Sequence, residues 1–361
     1  MKILIDIGHP AHVHYFKNII LKMRKNGHKV FVSARERYPV NELLKSYNIK
    51  YFNRGKGGHN KFSKLLYLLK ADYKLLILSR KIKPDIFLSF GAVYLTHVAK
   101  LMRRPSIFID DTDHARLNQK FYLPFATIIL TPNTFLHDFG EKHIKFNGYM
   151  ELCYLHPNRF SPDPSVLELL NVKRSEKYVI MRFVSWEASH DIGQSGLTSK
   201  MKRKLVSELS KYAKVFITSE GNLTDQLKKY QLKIPPEKIH DALAFATLFI
   251  GESPTMTTES AILGTPAICI SSWACDCGNF KELREKYDLI YCFTHESEEI
   301  ALKAAMNIIQ DKDAKTKWKS KQKKLLSEKI DVTAFMVWFV ENYPKSLNVM
   351  KENPNYQLNF I

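Results

Sequence analysis

The stretch KPDIFLSFGAVYLTHVAKLMRRPSIFIDD (residues 83–111) contains the pattern on which the fold prediction depends. Two short runs rich in apolar and aromatic residues, DIFLSF (85–90) and PSIFIDD (105–111), flank a helix-like segment that follows Gly91. Short apolar strands separated by a helix are typical of parallel strands that are covered on both faces. The stretch therefore predicts a strand–helix–strand unit of a doubly wound α/β sheet.

The same alternation extends from this unit towards both ends of the chain. It is interrupted once, by a proline-containing segment without periodicity, and then begins again. We therefore predict two Rossmann-like, doubly wound domains that face each other across a cleft, with an apolar C-terminal helix that packs back on the first domain. The predicted boundaries are 1–150 for the N-terminal domain, 151–164 for the linker, 165–330 for the C-terminal domain and 331–361 for the C-terminal helix.

The charge of the chain favours anionic partners. It has 55 Lys and Arg against 36 Asp and Glu, a net charge of +19, which attracts nucleic acid, anionic lipid or phosphorylated small molecules. Nucleic acid is the least favoured of these, because no helix-turn-helix, zinc-finger or RNP-like pattern is present. A solvated, lysine-rich surface is the alternative interpretation. The absence of long apolar runs and the strand-like start MKILIDI predict a cytoplasmic protein without a signal peptide.

Five cysteines are spread over the chain. An odd number without a secretory signal predicts reduced thiols. Cys275 and Cys277 lack the second ligand pair that a zinc site normally has, so no metal is expected. The cysteines are Cys153, Cys269, Cys275, Cys277 and Cys292.

In open parallel sheets, ligands bind beyond the carboxyl ends of the strands, so the loops at those ends hold the candidate site residues. The first, GHPAHVHYF (8–16), places His9, His12 and His14 at the start of a helix. A helix dipole lowers the pKa of a histidine there, which suits His12 as a neutral general base. Alternatively, these histidines cap the helix or pack in the core.

The second loop, DDTDHARLN (110–118), follows the strand SIFI. Asp111 and Asp113 are candidates for binding substrate hydroxyls or for acting as a base, because carboxylates held this close perturb one another's pKa values. The alternative is that Thr112 or Asp113 caps the next helix.

The third loop begins the stretch GESPTMTTESAILGTPAIC (251–269). Backbone amides near Ser253 and Thr255, at the N-terminus of a predicted helix, suit a phosphate group. Glu259, one turn further on, is a candidate for accepting both hydroxyls of a ribose. Together they predict a nucleotide diphosphate site. The alternative is that Ser253 or Thr255 caps the helix and Glu259 faces solvent.

These motifs resemble the GT-B superfamily. The pattern S-x5-E-x4-G-x-P (Ser253, Glu259, Gly264, Pro266) has a spacing similar to the non-hydrolysing UDP-N-acetylglucosamine 2-epimerases. The first half, with His12-Val13 in its first loop and the basic segment 54–71, resembles the peptidoglycan UDP-N-acetylglucosamine transferase. The start HPAHVHYF resembles an uncharacterised GT-B family. The Gly-rich phosphate loop of the transferase is replaced by RFVSWEASHDIGQSG (182–196).

The resemblance implies a metal-independent glycosyltransferase without a cofactor. It would move a sugar from a nucleotide diphosphate donor, UDP-linked by analogy, to a cell-envelope glycan or a lipid-linked acceptor. His12 would act as general base or contact the donor phosphate, and Asp111 and Asp113 would orient or activate the acceptor. The donor-binding candidates are Arg182, Ser253, Thr255, Glu259, Asp276 and Asn279, and the further loop candidates are His9, His14, Trp186, Glu187 and His190.

The resemblance also implies a peripheral contact with the anionic inner face of the membrane. The alternative is an ordinary solvated helix. Two other functions remain open: a nucleotide-sugar 2-epimerase on the same fold, and a polyanion-binding protein without enzymatic activity. The membrane-facing candidates are Arg54, Lys56, Lys61, Phe62, Lys64 and Tyr67.

Overall fold

The computed structural model describes residues 1–58, 61–184 and 197–361, without the side chains of Lys61, Phe62, Lys64 and Leu117. The chain divides into two units: Met1–Arg159 together with Lys329–Ile361, and Phe160–Glu328. Residues 151–164, predicted as a linker, begin with a helical turn whose side chains are buried in the first unit. The chain passes between the units after Arg159 and again after Glu328.

The first unit contains a seven-stranded sheet. Its strands are β1 (Lys2–Ile7), β2 (Lys29–Glu36), β3 (Phe52–Lys56), β4 (Ile86–Phe90), β5 (Ser106–Ile109), β6 (Ile128–Pro132) and β7 (His143–Phe146). All neighbours pair in parallel, in the order β3-β2-β1-β4-β5-β6-β7. The central strand β1 is apolar on both faces, because helices cover both sides of the sheet.

The helices of this unit connect successive strands. They are α1 (Pro10–Lys25), α2 (Val40–Ser46), α3 (Lys61–Ile82), α4 (Val93–Leu101), α5 (Arg116–Tyr122), a short 3-10 turn at Gly140–Lys142, and α6 (Leu152–Leu155). Within the described part of the chain, no helix is both long and apolar enough to span a bilayer.

The second unit contains a five-stranded parallel sheet in the order β12-β11-β10-β8-β9. In chain order its elements are α7 (Val166–Leu169), β8 (Tyr178–Phe183), α8 (Ser199–Leu209), β9 (Lys214–Ser219), α9 (Asp225–Lys228), a 3-10 turn (Pro236–Lys238), α10 (Ile239–Phe245), β10 (Leu248–Gly251), α11 (Pro254–Ile262), β11 (Ala267–Ile270), a 3-10 turn (Ala274–Asp276), α12 (Gly278–Glu285), β12 (Ile290–Phe293), a 3-10 turn (His295–Ser297), α13 (Glu298–Gln310) and α14 (Ala314–Glu328).

The C-terminal segment returns to the first unit, as predicted. It forms α15 (Val332–Glu341), α16 (Lys345–Glu352) and a 3-10 turn at Pro354–Phe360. Asp331 accepts a hydrogen bond from the Ala334 amide at the start of α15, and its carboxylate lies 2.7 Å from Arg159. One acid therefore both caps the helix and fixes it to the chain segment at which the first unit ends.

The cysteine prediction is wrong for one pair. Cys275 and Cys292 form a disulfide, with their Cα atoms 5.6 Å apart. Cys292 lies on β12, which pairs with β11, and Cys275 lies in the loop that follows β11. Strand pairing thus brings together two residues that are 17 positions apart in the sequence. Cys153, Cys269 and Cys277 are buried and take no part in a disulfide.

A glycine sets the packing of β10 against β8. A Cβ added at Gly251 would lie 2.4 Å from the backbone oxygen of Arg182 and 2.8 Å from its nitrogen. Because both atoms belong to the backbone of a central strand, neither can move aside cheaply. The loop that enters α11 therefore starts from a position that accepts only glycine.

We predict that Gly251→Ala lowers the free energy of unfolding by about 1–3 kcal/mol, the usual cost of overpacking. Urea denaturation measures this loss. Gly221→Ala is the matched control, because a Cβ at position 221 would meet nothing within 4 Å. Equal stability of the two variants would contradict the packing described for Gly251.

Candidate functional site

The loop after β1 holds two imidazoles in a defined orientation. The Gly8 amide donates a hydrogen bond to Nδ1 of His12 (3.3 Å), and the Ala11 amide donates to Nδ1 of His9 (3.3 Å). A neutral imidazole whose Nδ1 accepts a hydrogen bond carries its proton on Nε2. His9 and His12 therefore present N–H donors, an arrangement that favours contact with an anionic oxygen over proton abstraction.

His12 lies beside aromatic rings at the carboxyl edge of the sheet. Its ring centroid is 4.8 Å from that of Phe90 and 6.1 Å from that of Tyr15. Burial, followed by the nearby His9, Arg54 and Arg37, holds the pKa of His12 well below its ordinary value. The side chain is thus neutral near pH 7, with burial as the largest cause, whereas the sequence-based prediction relied on the helix dipole.

The other two histidines of the loop have structural positions. His9 is the N-cap of α1 through its own side chain. His14 is buried, with its ring 5.3 Å from Tyr154 and 6.0 Å from Tyr47. The alternative roles considered for these histidines, capping and packing, therefore describe His9 and His14 respectively.

A buried ion pair lies beneath this loop. Arg54 is 1% exposed, and its guanidinium donates to both carboxylate oxygens of Asp6, at 2.9 and 3.0 Å. It also donates to the hydroxyl of Tyr67, and its Cζ lies 4.8 Å from the ring centroid of Tyr94. A Cβ at Gly8 would be 3.4 Å from Nη2 of Arg54, so the guanidinium supports the turn that orients His12.

This geometry corrects the membrane-facing role predicted for Arg54 and Tyr67, because both side chains are buried. The segment FNRGK reads as a basic loop but forms β3, which places Arg54 against Asp6 on β1. Lys56 is exposed and lies 3.7 Å from Glu36. The side chains of Lys61, Phe62 and Lys64 lie outside the described part of the structure, although their backbone is in α3.

Three aspartates follow β5. In the sheet, β4 lies between β5 and β1, the strand that the histidine loop follows. Asp110 is buried and accepts hydrogen bonds from the hydroxyl of Tyr122 (2.7 Å) and the amide of Thr112 (3.0 Å). Burial raises the pKa of Asp110 to about 6. Burial and the neighbouring Asp110 raise the pKa of Asp111 to about 7, so Asp111 titrates where a general acid or base is most effective.

Asp113 has a different position. It is buried, and its carboxylate accepts a hydrogen bond from the Leu136 amide (2.7 Å), which joins this loop to the segment after β6. Neither Thr112 nor Asp113 caps α5, whose N-cap is Ala115 without a side-chain bond. Of the two predicted aspartates, Asp111 has a raised pKa, and Asp113 connects two loops.

In the second unit, the carboxyl end of β10 leads directly into α11. Ser253 is the N-cap, and its hydroxyl accepts a hydrogen bond from the Met256 amide (3.4 Å). Pro254 occupies the first position, where the lack of an amide proton costs nothing. Thr255 is partly exposed in the first turn. The positive end of the helix dipole therefore lies at the carboxyl edge of the second sheet.

One alternative interpretation placed Glu259 in solvent, but its side chain is buried. It is 4% exposed, and its carboxylate lies 3.0 Å from Nε2 of His240 on α10. The contact fixes the direction of the carboxylate one turn below the start of α11. No local sequence pattern points to this partner, because His240 lies 19 positions before Glu259.

Glu252 joins the two ends of the segment 185–196. Its Oε2 accepts a hydrogen bond from the Val184 amide (2.9 Å), and its Oε1 accepts one from the Leu197 amide (2.7 Å). Lys202 lies 3.1 Å from the same carboxylate, which is fully buried. Trp186, Glu187 and His190 belong to this segment and lie outside the described residues.

The remaining donor-binding candidates lie on other loops at the same edge. Arg182, at the end of β8, pairs with Glu220 at 2.8 Å, and its buried Nε atom has no hydrogen-bond partner among the residues that the structure describes. Asp276 is exposed, in the segment between β11 and α12 that the disulfide joins to β12, and Asn279 is partly exposed in the first turn of α12. In the described ranges, no cluster of His, Cys, Asp or Glu could hold a metal ion.

The comparisons with known proteins define the family and the fold. A family model described as a protein of unknown function, DUF354, matches residues 1–345. The chain belongs to the DUF354 family. A relative of this DUF354 chain, an uncharacterized protein of Methanocaldococcus jannaschii, is 28% identical over 279 residues, which are 74% of the chain and 81% of the relative.

Solved structures share the fold at low sequence identity. The UDP-GlcNAc 2-epimerase of Neisseria meningitidis, solved with UDP-GlcNAc bound, has a TM-score of 0.63 at 12% identity, covering 94% of the DUF354 chain and 99% of the epimerase. MurG of Acinetobacter baumannii has a TM-score of 0.57 at 15% identity, covering 94% and 99%. Glycosyltransferases are also among the matches. The predicted GT-B fold is confirmed.

We predict that Asp111 makes the folded chain less stable as pH rises from about 4 to about 7. Over this range an unfolded aspartate, with a pKa near 3.9, loses its proton while the folded one keeps it. Asp111→Asn removes this loss. The free energy of unfolding of the variant, relative to that of wild type, should therefore be higher at pH 8 than at pH 5. Urea denaturation at both pH values measures the difference.

Asp311→Asn is the control for this titration. Hydrogen bonds from Lys317 and from the Asp313 amide lower the pKa of Asp311. Neither donor titrates between pH 5 and pH 8, and the contribution of Asp311 is fully present above its unfolded pKa, so this substitution should change stability equally at the two pH values. If the change in the free energy of unfolding caused by Asp111→Asn is also the same at both pH values, Asp111 ionises with an ordinary pKa.

Proposed function

We propose that this DUF354 chain is a glycosyltransferase that moves a sugar from a nucleotide diphosphate donor, UDP-linked by analogy, to a cell-envelope glycan or lipid-linked acceptor. The observation that carries the proposal is the start of α11: a helix N-terminus at the end of β10, with a buried, oriented carboxylate one turn below it. Amides at such a helix start bind phosphate, and a fixed carboxylate binds the two hydroxyls of a ribose.

In this reaction the second unit would hold the donor. Ser253, Thr255 and the helix dipole would stabilise the negative charge that develops on the pyrophosphate as it leaves, and Arg182 would supply a cation. Glu259 would bind the ribose, with its carboxylate oriented by His240. Asp276 and Asn279 would contact the donor sugar, since the segment that holds Asp276 and the first turn of α12 follow the neighbouring strand β11.

The first unit would act on the acceptor. Asp111, with a pKa of about 7, is the better general base, because it accepts a proton most effectively near neutral pH. His12 would donate from Nε2 to an anionic oxygen of the substrate, because its Nδ1 is already occupied by the Gly8 amide. Asp113 would act indirectly, by holding the aspartate loop against the segment at Leu136.

A 2-epimerase is the second candidate function. The pair Asp110 and Asp111, with pKa values raised to about 6 and about 7, also suits proton removal from and return to a sugar carbon. Both candidates require a nucleotide sugar. They differ in whether the nucleotide is released only when an acceptor is present.

We predict that one nucleoside diphosphate among UDP, GDP, CDP, ADP and dTDP raises the melting temperature of the protein. At a hundred times its dissociation constant, a ligand adds about 2.7 kcal/mol to the free energy of unfolding. Glu259→Gln should reduce this shift, because a ribose hydroxyl then loses a charged acceptor. Glu299→Gln, on the exposed start of α13, should leave it unchanged. No shift with any nucleotide would refute the donor site.

We predict that free nucleotide appears from the nucleotide sugar only when an acceptor glycan or lipid-linked sugar is added, at a rate that rises with pH through about 7 as Asp111 loses its proton. Asp111→Asn should lower kcat by about 100-fold or more, with nucleotide binding retained. Chromatography of the reaction products measures both. An acceptor-independent change of the donor sugar would instead establish the epimerase.

A further inference from the structure

A partly exposed disulfide lies at the edge of the second sheet. It joins Cys275, in the 3-10 turn that follows β11, to Cys292 on β12. The strand β12 stands at one end of the sheet order, and both cysteines are partly exposed. Exposed disulfides are typically the ones that exchange with thiols, whereas buried ones resist reduction. The position of this bond therefore suits exchange in the folded protein.

The strand β12 keeps its place in the sheet without this bond. It pairs in parallel with β11, from Ile290 opposite Ala267 to Phe293 opposite Ile270. Just beyond β11, the Ser271 amide also donates to the backbone oxygen of Phe293 (2.9 Å). Because these hydrogen bonds do not involve sulfur, reduction of the disulfide would leave the strand paired.

The 3-10 turn is held in a different way. The Ala274 amide donates to the hydroxyl oxygen of Ser271 (3.3 Å), and the Asp276 amide donates to the backbone oxygen of Trp273 (3.2 Å). Both bonds span three positions, so they shape the turn without attaching it to a strand. The disulfide attaches the turn covalently to β12, and reduction would remove that attachment.

The same turn carries a candidate for contact with the donor sugar. Asp276 is exposed and lies next to Cys275 in the sequence, and Asn279 follows in the first turn of α12. Cys277 lies between them as the N-cap of α12 and is 8% exposed. Release of Cys275 from β12 would thus act on both polar candidates and would expose the thiol of Cys277.

We propose that the Cys275–Cys292 disulfide is a redox switch, which a dithiol opens in the folded protein. One thiolate of the dithiol attacks a sulfur of the disulfide, the S–S bond breaks, and a mixed disulfide forms. The second thiol of the reagent then displaces the remaining protein sulfur. The protein gains two electrons and two protons as two thiols, and the dithiol becomes a disulfide. The released turn no longer presents Asp276 to the sugar of the donor.

The effect on the donor rests on the proposed function, whereas the opening of the turn does not. A purely structural disulfide is the competing explanation. It predicts that the bond opens only when the second unit unfolds, and that Cys277 stays protected until then.

The test compares the oxidised full chain with the same chain treated with dithiothreitol in the absence of denaturant. Brief alkylation with iodoacetamide, followed by mass spectrometry, locates each reactive thiol. After treatment, Cys275 and Cys292 should be alkylated. Cys277 should react at least about tenfold faster than in the oxidised chain, because a cross-link of this span shifts an opening equilibrium by more than tenfold. Cys153 and Cys269 are fully buried internal controls and should react equally slowly in both forms.

Two further comparisons complete the test of the turn. Oxidised glutathione, added to the reduced chain before alkylation, should form the bond again, release two molecules of glutathione and restore the slow reaction of Cys277. The double variant Cys275→Ser, Cys292→Ser should show the fast reaction with and without dithiothreitol, and circular dichroism should show that it is folded. Should this variant not fold, the reduced wild type gives the same comparison.

Calorimetry with UDP-GlcNAc and with UDP measures the effect on the donor. The reduced chain should bind UDP-GlcNAc about tenfold more weakly than the oxidised chain, which is the usual effect of losing one hydrogen bond to a charged group. Both forms should bind UDP equally well, because Asp276 would contact only the sugar.

Three results would overturn the switch: a bond that dithiothreitol opens only in urea, equal alkylation rates of Cys277 in both forms, or a failure of oxidised glutathione to form the bond again. Equal binding of UDP-GlcNAc by both forms would overturn its effect on the donor. If neither compound binds to either form, the failure lies in the UDP-linked donor of the proposed function, and the alkylation rates alone decide the switch.

Discussion

The buried ion pair between Asp6 and Arg54 connects three strands and two helices of the first unit. Asp6 lies on β1, Arg54 on β3, and Ser33 on β2 donates to the same carboxylate at 2.6 Å. Tyr67 of α3 and Tyr94 of α4 complete the contacts of the guanidinium. Since an uncompensated charge in the interior costs about 3–5 kcal/mol, either residue without the other is strongly unfavourable. The turn that holds His12 rests on this pair.

The net charge of +19 has two origins that composition alone does not separate. Some lysines are structural: Lys315 donates to the backbone oxygens of Ala244 and Ala246 after α10, and Lys319 donates to Leu263 at the end of α11. Both complement the negative ends of helices. Burial lowers the pKa of Lys315 to about 8. Other basic residues lie on the surface, such as Lys56, whose side chain is 81% exposed.

The sequence predicted the strands that are apolar and the loops that follow them, since periodicity and strand ends are local properties. It misassigned β3, because FNRGK is polar and its burial depends on Asp6, 48 positions away. The segment LAFATLFIG (243–251) is almost entirely apolar, so its pattern does not show where α10 ends and β10 begins. The disulfide and the His240–Glu259 contact were missed because each depends on a pairing between elements that are distant in the sequence. The aspartate and histidine loops were found because their residues are adjacent in sequence.

The carboxylate of Glu252 binds the chain on both sides of residues 185–196, whatever the sequence of those residues. The chain leaves β8 at Val184 and re-enters α8 after Leu197, and both amides bind the same side chain. The entropy of closing such a loop grows only slowly with its length. A change in the length or sequence of residues 185–196 therefore leaves the attachment of both chain ends to Glu252 in place. In evolutionary terms, this gives the fold a replaceable segment beside a fixed sheet edge, where new substrate preferences can arise without a new core.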